Sequence, residues 1–301
     1  MKLVFLGSGG SWPTKDRNLS SIALKMNGET ILLDCAEGTQ RQMFQSGLNF
    51  MHVEKILISH FHGDHFLGLP GLIQSMYLND RKRELNIFGP EGTTKIVKGL
   101  LTLGYFNPTF PIMTHELQDK DEIKFENYDI RVRTADHDIP ALGFCIEEHQ
   151  RKGKFNPEKA LALGVKEGPL FRKLQNGNPV KVGKRTVKPE DVMGQPRKGR
   201  KIVYSGDTRP SKAILELARD SDVLIHDATL SKDLEDKAVK YGHTSVAQAA
   251  EIAKKAKVKV LFLTHISPRY SDPQALEDEA RKIFKYSFVA ADFLEYEIQL
   301  P

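Results

Sequence analysis

Three histidines and an aspartate crowd one short stretch, His60-Phe61-His62-Gly63-Asp64-His65. Imidazole and carboxylate together suit zinc, and also manganese or iron. Asp64 and His65 are adjacent and cannot easily share one ion with both His60 and His62. The spacing therefore points to two ions, one on His60 and His62, the other on Asp64 and His65. A lone histidine in a polar loop would more simply be a hydrogen-bonded loop residue. Three histidines and an aspartate at H-x-H-x-D-H spacing outweigh that reading.

Two neighbouring divalent ions need about six to eight ligand atoms, one usually from a bridging carboxylate. The chain offers His60, His62 and His137 for one ion, Asp64, His65 and His265 for the other, and Asp207 as the bridge. Such a pair activates water near neutral pH and stabilises an in-line displacement at phosphorus. Asp227 and His243 form a candidate acid/base pair, the carboxylate orienting an imidazole that protonates a leaving oxygen. An equal alternative has Asp227 supporting a metal ligand and His243 capping a helix. Lys15, Arg17 and Asn18, beside Gly9 and Gly10, form a candidate phosphate-binding loop; a solvated basic loop would look the same.

These residues sit at the ends of apolar runs. Ile56–Ile58 reads as a buried strand before His60, and a helical pattern follows through Leu72, Ile73 and Met76. His137, Asp207, Asp227 and His265 likewise close strand-like segments, and sites in layered α/β folds gather at the carboxyl ends of strands. Ser21–Met26 and Thr30–Cys35 flank Asn27-Gly28, a strong hairpin signal. Further strands are expected at 3–6, 85–88, 122–125, 129–134, 142–148, 201–204, 223–229, 258–265 and 288–300. Helices are expected at 40–45, 93–103, 211–218, 246–255 and 273–284. Hairpins alternating with helices favour an α/β fold of two mixed sheets with helices outside.

Residues 150–200 break this rhythm, with five Pro and seven Gly. Phe155, Leu161, Leu163, Val165, Leu170 and Phe171 are candidates for a small local core. Residues 151–200 hold fourteen Lys or Arg against four Asp or Glu, a net +10 in a chain of net +5. The remainder is therefore acidic. Concentrated positive charge suits a surface that meets a polyanion. The reading is one 301-residue domain, 1–301, with an inserted arm at 150–200. No run approaches membrane-span length and the start lacks a signal-peptide pattern, so a soluble, cytoplasmic protein is expected. Cys35 and Cys145 read as buried thiols.

The motifs resemble a known family. H-x-H-x-D-H on a strand-to-helix loop resembles the metallo-β-lactamase superfamily, and nearly the whole chain is similar to its short-form ribonuclease Z family. FLGSGGSWPTKDRN looks like that family's opening strand and P-x-K-x-R-N loop, through Pro13, Lys15, Arg17 and Asn18. LLDCAEGTQRQ, with Asp34, and SHFHGDHFLGLPGL are similar to its first two motifs. ADHDIPALGF, SGDTRP and THISPRY correspond to motifs supplying His137, Asp207 and His265, the last also bringing Arg269 to the tRNA-binding set. The basic insertion, with Glu167-Gly168-Pro169-Leu170, resembles the family's flexible arm, which clamps the tRNA elbow. The resemblance implies an αββα sandwich with two Zn2+ per subunit (Mn2+ or other divalent ions also serving), Asp64 as general base, and a homodimer. Its substrate would be precursor tRNA, cut just 3′ of the discriminator nucleotide to leave a 3′-hydroxyl and a 5′-phosphate trailer. The family's H-E-A-T motif appears here as His226-Asp227-Ala228-Thr229, with a carboxylate one methylene shorter.

Two competing readings share some of these features. A small phosphodiester or ester hydrolase on the same fold explains the metal box but not the basic arm. An RNA-binding protein with a structural metal site explains the arm but not an aspartate poised beside a complete ligand set. A β-CASP-type nuclease would carry a large insert between Asp207 and His265, where only an ordinary helix-strand segment lies.

Overall fold

The computed structural model describes residues 1–105 and 107–300. The chain divides by its own contacts into a larger unit, Met1–Glu147 with Lys201–Gln299, and a smaller one over Glu148–Arg200.

The larger unit is built on two seven-stranded sheets. The first half of the chain supplies β1 (Lys2–Gly7), β2 (Ser21–Met26), β3 (Glu29–Leu33), α1 (Thr39–Gln45), β4 (Val53–Leu57), α2 (Gly63–Phe66), α3 (Leu69–Leu78), β5 (Leu85–Gly89), α4 (Thr93–Leu101) and β6 (Ile112–Glu116). Three strands follow: β7 (Glu122–Lys124), β8 (Tyr128–Thr134) and β9 (Leu142–Glu148). The smaller unit holds α5 (Pro157–Ala162), α6 (Pro169–Gln175), β10 (Val180–Val182), β11 (Arg185–Val187) and α7 (Pro189–Val192). The remainder forms β12 (Lys201–Tyr204), α8 (Lys212–Ala218), β13 (Val223–Asp227), α9 (Glu235–Lys240), α10 (Val246–Ala256), β14 (Val260–Thr264), α11 (Gln274–Arg281), β15 (Ser287–Val289) and β16 (Glu295–Glu297).

One sheet runs β16-β1-β2-β3-β4-β5-β6, the other β15-β14-β13-β12-β9-β8-β7. The β2–β3 hairpin turns on Asn27 (φ 49°) and Gly28 (φ 85°), the two left-handed residues that a type I′ turn requires. Beyond it β3, β4, β5 and β6 pair in parallel, as β12, β13, β14 and β15 do in the other sheet. Both sheets are therefore mixed. Alternation sends one face of each inward. Phe5, Leu24 and Leu33 from the first sheet meet Phe144, Ile225 and Phe262 from the second in one fully buried core. The opposite faces are covered by helices. Leu72, Ile73 and Met76 of α3 bury against Ile56, Ile58 and Ile87. Ala249, Ala250 and Ala253 of α10 pack on Leu224, Leu261 and Leu263. Each large side chain so buried contributes about 1.5–3 kcal/mol.

Two strands and the helix α9 depart from the sequence expectations. Ile112–Glu116 is an additional strand, the half-exposed edge of the first sheet. The expected terminal strand at 288–300 is broken: β15 pairs with β14 in one sheet and β16 with β1 in the other. The smaller unit has the small local core expected of it, Ala160, Val165, Leu174, Val180, Val187 and Val192 with Leu163 and Leu170 packed on them, carried on a hairpin and three short helices. Phe155 and Phe171 pack there with ring centroids 4.9 Å apart. Leu161 does not join them. It is 47% exposed, because its neighbour Ala160 faces inward from the one-and-a-half turns of α5. Both cysteines are buried free thiols. No helix among the described residues is long and apolar enough to cross a membrane.

Candidate metal centre

The backbone turns sharply where strands hand over to the site. Asp34 after β3 and His265 after β14 sit at φ 59° and 60°, left-handed conformations that cost a non-glycine residue about 1–2 kcal/mol. Gly68 lets α3 start against the β3 loop, since a Cβ there would collide with the Ala36 carbonyl. These turns bring side chains from five loops to one point.

His60, His62 and His137 converge. His62 Nδ1 lies 3.1 Å from His60 Nε2 and 3.2 Å from His137 Nε2. The far nitrogens of His137 and His60 are already used. His137 Nδ1 donates to the Gly242 carbonyl at 2.8 Å, which fixes a proton there and turns Nε2 toward His62. His60 Nδ1 meets Ser59 Oγ at 3.0 Å. On the other side, His265 Nε2 lies 3.3 Å from Asp64 Oδ2 and 3.2 Å from Asp207 Oδ2, and His65 Nε2 lies 3.3 Å from the same Asp207 oxygen. Asp207 stands between the sets, 3.7 Å from His60 Nε2. Ligand-type groups of three or more are His60, His62 and His137; His60, His65 and Asp207; Asp64, His65 and His265; and Asp207, His243 and His265.

The donor set fits divalent cations. His65 Nε2 is fully buried without a hydrogen-bond partner, although its Nδ1 is held by Asp34 at 2.7 Å. A buried imidazole nitrogen aimed at a carboxylate calls for a cation between them, a proton or a divalent ion in its place. The same holds for three imidazole nitrogens facing one another. His60 and His62 are held below their ordinary range by burial and by neighbouring histidines, so they stay neutral and free to ligate. Burial would raise Asp64 and Asp207, but surrounding imidazoles outweigh it and hold both well below the usual carboxylate range. Burial would likewise lower His65, but Asp207 and Asp34 push it well up.

An outer ring of residues orients these ligands. Asp34 Oδ2 accepts from Tyr204 at 2.6 Å and Ser59 at 2.8 Å as well as from His65, and Asp34 Oδ1 accepts the Ser59 N–H at 2.6 Å. Thr229 Oγ1 bridges Asp227 Oδ1 at 2.7 Å and His265 Nδ1 at 2.8 Å. Arg209 spans Asp138 Oδ1 at 2.5 Å and the Val239 carbonyl at 2.7 Å, clasping the His137 loop to the segment before His243. Ser59, Thr229 and Arg209 lie within the sequence motifs without being marked there for a role, and Tyr204 lies outside them; the contacts identify all four.

Asp227 does both things the sequence left open. Its Oδ2 meets His243 Nδ1 at 3.0 Å, and through Thr229 it also supports His265. Burial lowers the His243 imidazole, but Asp227 overcomes this and lifts it to about 9. His243 is not the helix cap: Ser245 caps α10 in a capping box with Gln248. The shorter carboxylate in H-D-A-T thus reaches the imidazole directly.

The residues expected to hold phosphate divide. Lys15 and Arg269 are exposed. Arg17 turns inward, donating to Ser8 Oγ at 2.6 Å and the Ala290 carbonyl at 2.5 Å, and burial lowers its pKa. Asn18 donates its side chain to the Glu37 carbonyl at 2.9 Å and its N–H to Asp292 Oδ2 at 2.7 Å. Both brace the loop. The loop in turn touches the centre, because the Ser11 N–H donates to Asp64 Oδ2 at 2.7 Å.

Comparison with known proteins places this geometry. A family model described as the anti-Pycsar protein Apyc1 matches residues 1–150, and one described as a beta-lactamase superfamily domain matches residues 174–266. The short form of human tRNase Z superposes with a TM-score of 0.73 at 27% identity, covering 100% of both chains. The ribonuclease Z of Archaeoglobus fulgidus is 43% identical over 99% of this chain and 97% of its own length. That of Methanosarcina acetivorans is 47% identical over 99% of this chain and 98% of its own. The two mixed sheets with helices outside are the metallo-β-lactamase fold, and at this identity over its full length the chain belongs to the ribonuclease Z family.

Proposed function

We propose that the protein is an endoribonuclease that removes 3′ trailers from precursor tRNA. It cuts 3′ of the discriminator nucleotide and leaves a tRNA 3′-hydroxyl and a trailer 5′-phosphate. The observation that carries this is the union of family membership with an intact, converging ligand set around Asp207. His60, His62 and His137 would hold one divalent ion, Asp64, His65 and His265 a second, and Asp207 both; zinc suits this mix of imidazole and carboxylate, with manganese as a substitute. Bound there, the ions supply Lewis acidity toward the scissile phosphate and lower the pKa of water.

The chain's own groups do the rest. Asp64, ionised and oriented by the Ser11 N–H, takes the proton of the attacking water as general base. Water adds to phosphorus, the bond to the 3′ oxygen breaks, and that oxygen receives a proton from His243 Nε2 while Asp227 holds Nδ1. The arm at 150–200, with its net +10, and Lys15 and Arg269 grip the tRNA backbone. Arg17 and Asn18 act by holding their loop in place. The working form is a cytoplasmic homodimer, a reading supported by the family resemblance.

The test uses a precursor with a 3′ extension. With zinc or manganese the purified protein is expected to cut it once, at the discriminator, and chelation is expected to stop it. Metal-loaded protein that binds the precursor and leaves it intact rules the enzyme out. A small phosphodiester or ester hydrolase would cut the small substrate and ignore the precursor.

A further inference from the structure

We propose that Gly10 and Gly242 are positioning residues, each the seat of one imidazole that reaches the metal centre from outside the H-x-H-x-D-H stretch. This rests on the two-ion reading above. Gly10 lies against the ring of His265. A Cβ built on it would overlap Cε1 and stand 2.5 Å from both Nδ1 and Nε2, distances that real Cβ atoms essentially never show.

The ring has nowhere to retreat. It is buried, its Nδ1 is tied to Thr229 Oγ1 at 2.8 Å, and the rings of His243 and His65 stack on it with centroids 5.0 and 5.3 Å away. A methyl group at Gly10 therefore drives Nε2 off the point where it faces Asp64 and Asp207. The backbone itself would accept alanine. Gly10 is outside the left-handed region, its N–H bonds the Ile266 carbonyl at 3.2 Å, and its carbonyl accepts the Trp12 N–H at 2.9 Å. What the substitution disturbs is the imidazole.

Gly242 does the same for His137 in another way. Its carbonyl accepts the Nδ1 proton at 2.8 Å, and its missing Cβ would stand 2.6 Å from Nδ1 and 2.9 Å from Cε1. It also needs its φ of 83°, where side chains are strained. The two glycines thus serve different ions: His137 faces His60 and His62, while His265 faces Asp64 and His65. Neither offers a side chain to the metal, yet each dictates where a ligand nitrogen points.

The experiment compares the full chain with Gly10→Ala, Gly242→Ala and Gly242→Asn, asparagine being tolerant of left-handed backbone. Gly9→Ala is the control, since a Cβ there meets Arg17 Cβ at 3.2 Å and the Asn18 carbonyl at 3.3 Å but no imidazole. Two readouts are taken: imidazole NMR of His265 and His137 in metal-free protein, and zinc uptake by equilibrium dialysis. Gly10→Ala is expected to shift the His265 ring signals and weaken one zinc at least tenfold, sparing His137 and the other zinc. The Gly242 variants are expected to do the converse, and Gly9→Ala to keep both. Parental ring signals and zinc affinity in Gly10→Ala, or equal losses in Gly9→Ala, would overturn the proposal. Should the parent take up one zinc only, the two-ion reading falls, while the ring signals still decide the role of the glycines.

Discussion

Asp227 shows how much one buried carboxylate is asked to hold. Its two oxygens receive the N–H groups of Thr208, Thr229 and Thr244, the Thr229 hydroxyl, and the His243 ring. Asp227→Asn would present an amide donor to some of these donors. Turnover of precursor is expected to fall by roughly 10²-fold or more, with precursor binding nearly unchanged. An equal loss of both would make Asp227 a purely structural residue. Asp64→Ala should likewise damage turnover more than tRNA binding, as single-turnover and gel-shift measurements on the same variant can tell. The converging ligand-type side chains were legible because four of them share one short stretch and the others end apolar runs. Their supports were not: Tyr204 meets Asp34 across 170 positions, and Ser59 meets it across 25. Arg17 reads as a surface cation until Ser8 and the Ala290 carbonyl are seen to claim it.

Elements that carry full alternation or a buried apolar run were readable, and those that do neither were not. Ile112–Glu116 is an edge strand whose residues are at most half-buried, so its pattern is weak. The pieces of the 150–200 segment are three to seven residues long, too short for periodicity to speak. Within that unit, Arg200 grips Glu148 by bonds of 2.6 and 2.7 Å and donates its backbone N–H to the same carboxylate at 3.1 Å. Burial would raise Glu148, but Arg200 outweighs it and holds the carboxyl below its ordinary value. Because the folded pKa is the lower one, the pair's stabilisation is fully present above the unfolded value, about 4.3. It is lost as pH falls through the folded value. Amide exchange at residues 148–152 and 197–200 should therefore quicken as pH drops below about 4, measured against the intrinsic rate at each pH. Glu148→Gln should remove that pH dependence; a profile unchanged by the substitution would assign it elsewhere.

At the scale of the molecule, the proposed cutting and holding would fall to separate stretches of chain. Metal-type side chains belong to the sandwich, and the concentrated positive charge lies in 151–200. Deleting 151–195 should weaken cleavage of precursor tRNA far more than hydrolysis of a small phosphodiester. Salt dependence of precursor binding should flatten in the same variant, because fewer phosphate contacts release fewer counterions. Equal losses on both substrates would remove the arm from substrate recognition.

β15 and β16 are neighbours in sequence but lie in different sheets. β16 pairs with β1, and Asp292 receives the Ser8 N–H and hydroxyl, the Asn18 N–H and the Gln42 side chain, with Ser8 284 positions away. The edge of the first sheet and the loop that carries Ser11 to Asp64 thus depend on residues 292–297, far from them along the chain. Non-local pairing of this kind is slow to form. A chain stopped after Val289 should leave the β1 edge unpaired and precursor tRNA uncut. Adding residues 290–301 as a separate peptide to the truncated chain would measure how much of that pairing is thermodynamic and how much depends on order of synthesis.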